Sequence, residues 1–554
     1  MDNNLIQWFL FRIAISSVFA IAFHIALLIR KPHKNQAQVS KKLVDAPDGL
    51  PILGHALAFS SDMAGFSSKL KKRFNGIPLR LRLMVMNVVY LTEPDHISSL
   101  FRRSGELTNG PYRKFVSSTF GVPKDFQKFF AADNTGLSRN PLPGTNVKPE
   151  HRVDYLMHTF IVQFMTGKSL KSLARRFTAN MEDRLKTQSR AEGSETHDCL
   201  YDFVKVNMFH SSVTAMFGKQ LFKIDPDFCD HFWRFEEGMP ELAKSLPRFI
   251  YPKQYKARDV CLQTVRTWQR KLDEQRNRDP DAAYELSVKD YDDFFGSGIV
   301  KKRHLAFAKM EVMGVDARAS EDLALLWGAN SNATHAAFWL IRSIVRDAAV
   351  EQRFLTEIRS AKLASDNGDF IRYDLEALCA LPFLQSLYAE TLRLYVANII
   401  LRSPRKTDIP VGDWSIRQDE IVAVMSHPMH HDEAKFNTGS PQDPRPLSEF
   451  WAERFIVPQE MGKASQDQDG AKFSLKGTEG AWLPYGGGSN ECPGRFFAKQ
   501  EMLLTAALLI GNFEILLDGD SAEIDWRYFG TGVLGVKGKQ PFRLRRRNSK
   551  TLFH

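Results

Sequence analysis

Residues 482–498 (Trp482-Leu-Pro-Tyr-Gly-Gly-Gly-Ser-Asn-Glu-Cys-Pro-Gly-Arg-Phe-Phe-Ala498) constrain this chain more than any other stretch. Gly486, Gly487 and Gly488 carry no side chain, so the backbone there can adopt positive φ and approach a flat ligand closely. Pro493 and Gly494 then turn the chain into the run KQEMLLTAALLIGNF, whose apolar spacing is helical. The loop therefore delivers one cysteine, Cys492, to the start of a helix. Amides and the positive dipole end at such a place favour a thiolate, which is a good nucleophile and a strong ligand for soft metals. Two chemistries stay open on these grounds, covalent catalysis and axial ligation of haem iron.

The rest of the chain narrows the setting. With 554 residues, 43% hydrophobic and 25% charged, it can bury a large core, and it is not a disordered, collagenous or multi-spanning membrane protein. Cys199, Cys229, Cys261, Cys379 and Cys492 are widely spaced without a C-x-x-C pair, which argues against structural zinc and a disulfide framework. The formal charge of +11 is spread along the chain, apart from 543–547 and a cluster near the N-terminus. No nucleic-acid motif accompanies it, so no nucleic-acid partner is expected.

Residues 5–29 are mostly apolar and would make a helix about 37 Å long, enough to cross a bilayer with some tilt. Arg12 and His24 interrupt the run near its ends, where long side chains can snorkel. Arg30, Lys31, Lys34, Lys41 and Lys42 follow and place the remaining chain on the cytosolic side. The expected organisation is a membrane anchor over 1–30, a basic, Pro/Gly-rich hinge over 31–54 and one catalytic domain over 55–554. A buried or interfacial N-terminal helix is the alternative to a spanning one. Residues 79–91 alternate like a strand pair and long stretches of 150–400 are helical in period, so the class is mainly α with a minor β-sheet.

Tyr485-x-x-Gly488-x-x-x-Cys492-x-Gly494 closely resembles the haem-binding signature F-x-x-G-x-x-x-C-x-G of the cytochrome P-450 family. The resemblance implies that family's fold, a single large haem domain, with Cys492 as the proximal thiolate ligand of haem b. Tyr485, Gly488, Asn490 and Gly494 would complete the cofactor loop. Tyr485 stands where Phe is usual, and Asn490 where a basic residue usually meets a haem propionate. Other segments follow in family order. In Tyr388-Ala-Glu-Thr-Leu-Arg-Leu394, Glu390 and Arg393 share a helix face, and Ala-Glu-Arg-Phe455 follows at the family's distance. Glu390, Arg393 and Arg454 would then form a buried charge network, from which removing one member costs about 3–5 kcal/mol. Arg402, before Thr407-Asp408-Ile409-Pro410, would meet a propionate, a role made more important by the neutral Asn490. His430-His-Asp-Glu-Ala-Lys-Phe436 resembles the family's H-x-D-P-x-x-F loop, so metal binding by His427, His430 and His431 is not expected. His151 and Arg152 lie roughly where a W-x-x-x-R haem contact belongs, without a tryptophan.

Residues 321–345 have apolar ends around a polar centre of Gly328, Asn330, Ser331, Asn332 and Thr334, which suggests a local distortion in a long helix. In the family this helix crosses the distal haem face, and A-G-x-[DE]-T supplies an acid and an alcohol that relay protons. Here Ser331 takes the acid's place and Asn332 the alcohol's, with Thr334 a partial replacement for the hydroxyl. Leu326-Trp-Gly and Asn332-x-x-x-Ala-Ala-Phe-Trp339 look most like the branch holding sterol 7α-hydroxylases and prostacyclin synthase. The run CPGRFFAKQE resembles fungal members that tailor terpenoid, polyketide or alkaloid products. Val396, Ala397, Asn398 and Ile399 follow the E-x-x-R helix, where relatives bring residues into the substrate pocket, and Asn398 would orient a polar group there.

The reaction so implied is monooxygenation of a lipophilic small molecule (terpenoid, steroid, polyketide or alkaloid intermediate), with O2 and electrons from NADPH through a separate cytochrome P-450 reductase. Arg495 and Lys499 would form part of the reductase's docking patch. The location implied is the endoplasmic reticulum membrane, a single pass with the catalytic domain cytosolic and membrane lipid as a partner. Two alternatives remain: a reductase-independent haem-thiolate isomerase or dehydratase, which the neutral Ser331 and Asn332 would suit, and a non-catalytic haem-binding membrane protein.

Overall fold

The alternation over residues 79–91 produces a hairpin in the computed structural model, which describes residues 41–547 except 75, 85, 146, 189–193, 279–290, 365–369, 419 and 459–470. Strand β1 (Val44–Asp45) runs parallel to β2 (Leu79–Leu83), which pairs antiparallel with β3 (Met86–Leu91). Leu79 and Leu81 are buried on one side while Arg82 reaches solvent, as a period of two requires. The sheet continues β1-β2-β3-β6-β5-β7, where β5 is Val396–Pro404, β6 Ile421–Met425 and β7 Thr531–Val533; the short β4 (Leu107–Thr108) also pairs with β5. Because Val44 and Asp45 already pair in this sheet, the chain joins the folded body within the stretch 31–54.

Helices make up the larger part. Those that position the site are α1 (Pro94–Arg102), α2 (Gly167–Gln188), α3 (Leu200–Phe217), α4 (Phe228–Glu237), α5 (Pro252–Arg278), α6 (Val315–Val345), α7 (Pro382–Tyr395) and α8 (Arg495–Asn512). Proline at the first position starts α7, and the β-branched, apolar VANII sequence ends it by continuing as β5. α6 is the spine: it packs on α3, α5, α7 and α8 and touches β7. Trp339 anchors it, stacking on Tyr395 with ring centroids 4.5 Å apart and donating its indole N–H to Leu534 O at 2.9 Å.

The expected distortion in the middle of this helix does not occur; α6 is continuous from Val315 to Val345. The polar centre finds partners without breaking the ladder, except Asn330 Oδ1, which has none among the described residues. Asn330 Nδ2 donates back to Leu326 O at 2.8 Å, while Ser331 and Asn332 find partners on other elements. The anchor over 1–30 lies outside the described residues, and among the described residues no helix is long and apolar enough to cross a membrane.

Candidate functional site

The glycine loop lies against the end of α1 so closely that side chains are excluded. Gly488 has φ +69°, and a Cβ there would run into Ser104 Oγ; one on Gly487 would run into the Phe101 ring. Cys492 N–H donates to Tyr485 O at 3.0 Å and closes the turn. Protein packed around the loop pushes the Cys492 thiol up even though its side chain opens outward, while amides of Gly494 and Arg495 that bond the sulfur, and the Arg495 charge, pull it down. A coordinated metal deprotonates a thiol outright, so this cysteine suits ligation better than unassisted nucleophilic attack.

Behind the loop, Glu390 and Arg393 on α7 form a two-bond pair of 2.7 and 2.9 Å, and Arg454 Nε adds 3.0 Å contacts to both carboxylate oxygens. All three side chains have 0% exposure. Arg393 also donates to His430 O and Leu447 O, and Arg454 to the carbonyls of Asn437, Arg445, Pro446 and Glu449. The one carboxylate is therefore shared by both guanidinium groups, whose remaining protons go to backbone carbonyls, and such satisfaction lets a buried ion network of net positive charge be tolerated. From this block four contacts reach the loop. His430 Nε2 accepts from Leu483 N at 3.0 Å, Asn398 Nδ2 donates to Pro484 O at 2.8 Å, Arg402 Nη2 to Gly487 O at 3.4 Å, and Tyr485 shares a 2.6 Å bond with the Tyr388 hydroxyl. Asn490 ends the short 3-10 turn Gly488–Asn490.

These residues fit a thiolate-bound haem. Cys492 presents an exposed side chain at the head of the mostly buried α8, and Gly328 is exposed in the middle of the mostly buried α6 that packs on it. A Cβ built on Gly328 or Gly486 would meet nothing within 4 Å, so backbone on both sides faces open space. A family model described as Cytochrome P-450 matches residues 44–533.

The chain belongs to the cytochrome P-450 family.

Membership implies haem iron as cofactor. The chain is 27% identical over 523 residues to the cytochrome P-450 monooxygenase efuG of Hormonema carpetanum, covering 90% of this chain and 89% of that one. It is 26% identical over 510 residues to cholesterol 7-alpha-monooxygenase of Cricetulus griseus, covering 88% and 90%. Among solved structures the retinoic acid-bound cyanobacterial CYP120A1 has a TM-score of 0.61 and 20% identity, over 92% of this chain and 100% of that one, a likeness of fold. This cytochrome P-450 is thus a member of a monooxygenase family, with the sterol 7α-hydroxylase likeness read from the α6 sequence among its relatives.

Several expected roles meet other geometry. Asn332 Oδ1 accepts from Val533 N at 2.8 Å, which ties α6 to β7. Thr334, two positions on in a continuous helix, points about 200° around the axis from Asn332, so it does not stand in for a hydroxyl at that position. Val396 and Ala397 are buried in core clusters, Ile399 packs against the cluster that holds Tyr528 and Phe529, and the Asn398 amide nitrogen is held by Pro484 O. Arg152 donates to the carbonyls of Gly136, Ser138 and Arg139, and its neighbour His151 packs edge-on against Phe129. Of the expected docking cations, Lys499 bonds Gln385 Oε1 at 3.2 Å and Arg495 lies 3.3 Å from Glu491. Burial holds His427 near 3 and His431 near 4, both neutral, and no metal-binding cluster occurs among the described residues.

The sequence reading missed Glu236. Its carboxylate accepts from Ser331 Oγ at 2.8 Å and Tyr528 Oη at 2.9 Å. A signal was present: Phe228, Phe232, Phe235 and Glu236 fall at i, i+4, i+7 and i+8, so helical period alone places this acid on the apolar face of α4.

Proposed function

We propose that this cytochrome P-450 is a membrane-anchored monooxygenase that inserts one atom of O2 into a C–H bond of a lipophilic small molecule of terpenoid, steroid, polyketide or alkaloid type. Electrons come from NADPH through a separate reductase, and residues 1–30 hold the catalytic domain, which begins within 31–54, on the cytosolic side of the endoplasmic reticulum membrane. The observation that carries this reading is the accessible Cys492 on a glycine loop, locked from behind by the Glu390–Arg393–Arg454 network. Haem held by Cys492 supplies the oxygen chemistry. Gly486, Gly487 and Gly488 let the backbone lie against the ring, and Arg402 neutralises a propionate beside Gly487. The likeness to cholesterol 7-alpha-monooxygenase makes steroids and similarly sized terpenoids the first substrates to try.

The test uses the full chain in detergent, haem-loaded, reduced under carbon monoxide. A Soret band strongly red-shifted relative to histidine-ligated haem is expected, and Cys492→Ala should abolish the shift. An unshifted band, the same in both proteins, sinks the ligand assignment. Since neither Ser331 nor Asn332 ionises, a reductase-independent isomerase is the second reading. Substrate conversion that proceeds at full rate without NADPH selects it.

A further inference from the structure

Glu236 is 1% exposed at the end of the buried face of α4, and the groups around it do not make it an ion-pair member. Its two hydrogen-bond donors, Ser331 on α6 and Tyr528 in the 3-10 turn Trp526–Tyr528, are neutral. His335, one turn along α6 from Ser331, lies 3.8 Å from Glu236 Oε2, but burial lowers its pKa to about 3, so it is neutral too. Tyr201 on α3 and Trp233 on α4 pack around that imidazole, whose nitrogens have no partner among the described residues. The nearby cation, Lys205 on α3, lies 2.6 Å from Asp202 and over the rings of Tyr201 and Trp233. Glu237, beside it in sequence, and Asp525, which acts on both His335 and Tyr528, add only negative charge. Desolvation dominates and raises the Glu236 carboxyl to about 7, while the bonds from Ser331 and Tyr528 and the charge of Lys205 pull it back. A glutamate placed for structure alone would be better as a neutral residue here, because burying its charge is costly and Lys205, held by Asp202, offsets only part of that cost.

Its position connects two places. Ser331 shares a helix face with Gly328, three residues earlier, where α6 meets open space. On the other side Tyr528 lines a surface pocket of about 570 Å³ together with Arg234, Glu237, Lys253 and Arg527. Tyr528, Glu236 and Ser331 therefore form a hydrogen-bonded line from that pocket to the distal face of α6.

We propose that Glu236 is the proton-relay residue of this enzyme, reaching from α4 to serve through Ser331 the acid function that α6 itself lacks. The proposal rests on the monooxygenase reading above. The Ser331 hydroxyl, which donates to Oε1 of the ionised carboxyl, turns toward an acceptor at the Gly328 face when Glu236 is protonated, so that Oε1 gives its proton to Ser331 Oγ as the Ser331 proton moves on. Tyr528 then gives its hydroxyl proton to Oε2 and takes one from pocket water, whose hydroxide leaves to solvent, and a turn of the carboxyl brings the new proton to the Ser331 side. One proton enters, one leaves, and no electrons move. Because it acts through Ser331, Glu236 is a positioning residue rather than a catalytic one.

The experiment compares the full-length haem-loaded enzyme with Glu236→Gln, Ser331→Ala and Tyr528→Phe, each first shown to keep the wild-type reduced carbon monoxide spectrum. Infrared difference spectra across a pH titration should show protonated carboxyl bands with midpoints near 7 from Glu236 and Glu321, of which the Glu236 band alone is lost in Glu236→Gln. The band should be retained but shifted in the other two variants, each of which removes one hydrogen bond. Reductase-driven O2 consumption should fall in the wild type as pH rises through 7, because the carboxyl then stays ionised. Glu236→Gln should lose that limb and run on the order of 100-fold slower, the low end for a placed general acid. Should Glu236→Gln misfold, Ser331→Ala and Tyr528→Phe decide, since both must lose the limb while keeping the carboxyl. An unchanged infrared titration in Glu236→Gln, or a wild-type pH profile in all variants, overturns the relay alone. A wild-type enzyme that consumes no O2 with reductase overturns the monooxygenase reading, and the relay with it.

Discussion

At the scale of single residues, the phenol of Tyr485 shows how a departure from a motif is balanced elsewhere. Its hydroxyl, placed behind the cofactor loop where phenylalanine would need no partner, is met by Tyr388 two residues before Glu390. Both groups are removed from water, so neither tolerates losing the other. Tyr485→Phe alone should destabilise the haem-loaded protein by about 1–3 kcal/mol, the cost of an orphaned buried hydroxyl. Tyr485→Phe with Tyr388→Phe should recover most of that, which denaturant melts of the three proteins will measure; an additive double mutant would mean the bond contributes nothing. Residues of this kind divide by how they can be read. Cys492 was legible as a presented thiol because the glycine loop and the helix start are local, whereas Glu390, Arg393 and Arg454 were legible as a network only through the family resemblance, since Arg454 lies far from the other two in sequence. The Tyr388–Tyr485 pairing was not, since the two lie 97 positions apart and neither alone departs from a globular average.

Elements were legible in type and less so in shape. The hairpin β2–β3 and the helix after Cys492 followed from period two and from apolar spacing after proline and glycine. The centre of α6 was misread because intrinsic preference treats Asn330, Ser331 and Asn332 as competitors for their own backbone, whereas two of them bond across to α4 and β7. The α6–β7 junction is correspondingly sensitive. Gly532 has φ +143°, and a Cβ there would strike Asn332 Oδ1. Asn332→Ala should leave the Val533 N–H buried without its acceptor, and hydrogen exchange at the amides of 531–533 should speed up while α8 stays protected. Gly532→Ala should be worse, because it adds an unfavourable backbone conformation to the same broken contact. Unchanged exchange in both variants would show that β7 is held by its pairing with β5 alone.

Over the whole molecule, buried titratable groups set opposing limits on stability. His304, His335 and His427 are held near 3, and His210 and His431 near 4, chiefly by desolvation. Folding keeps them neutral, so their contribution is complete above the unfolded value of about 6.5 and is lost as pH falls toward 4 and below. Glu236 and Glu321 are raised to about 7 and Glu501 to about 8, again by desolvation. Their neutral forms are favoured in the fold, so their contribution is complete below the unfolded value of about 4.3 and disappears as pH rises through 7 and 8. Between about 4.3 and 6.5 the two sets oppose each other: burial also lowers His158 and His430 and also raises Asp154, Glu182, Asp322 and Glu351, so the two sets largely cancel there. Above 6.5 only the carboxyls change, and stability should fall. Denaturation midpoints of the haem-loaded enzyme from pH 4 to 9 should therefore show no peak above 6.5 and fall from there to 9. Glu236→Gln and Glu501→Gln together should flatten the alkaline side and leave the acid side alone, because a carboxamide has no proton to lose while the histidines remain. A peak that instead stands at pH 8 in the wild type would mean that these carboxyls are ionised in the fold.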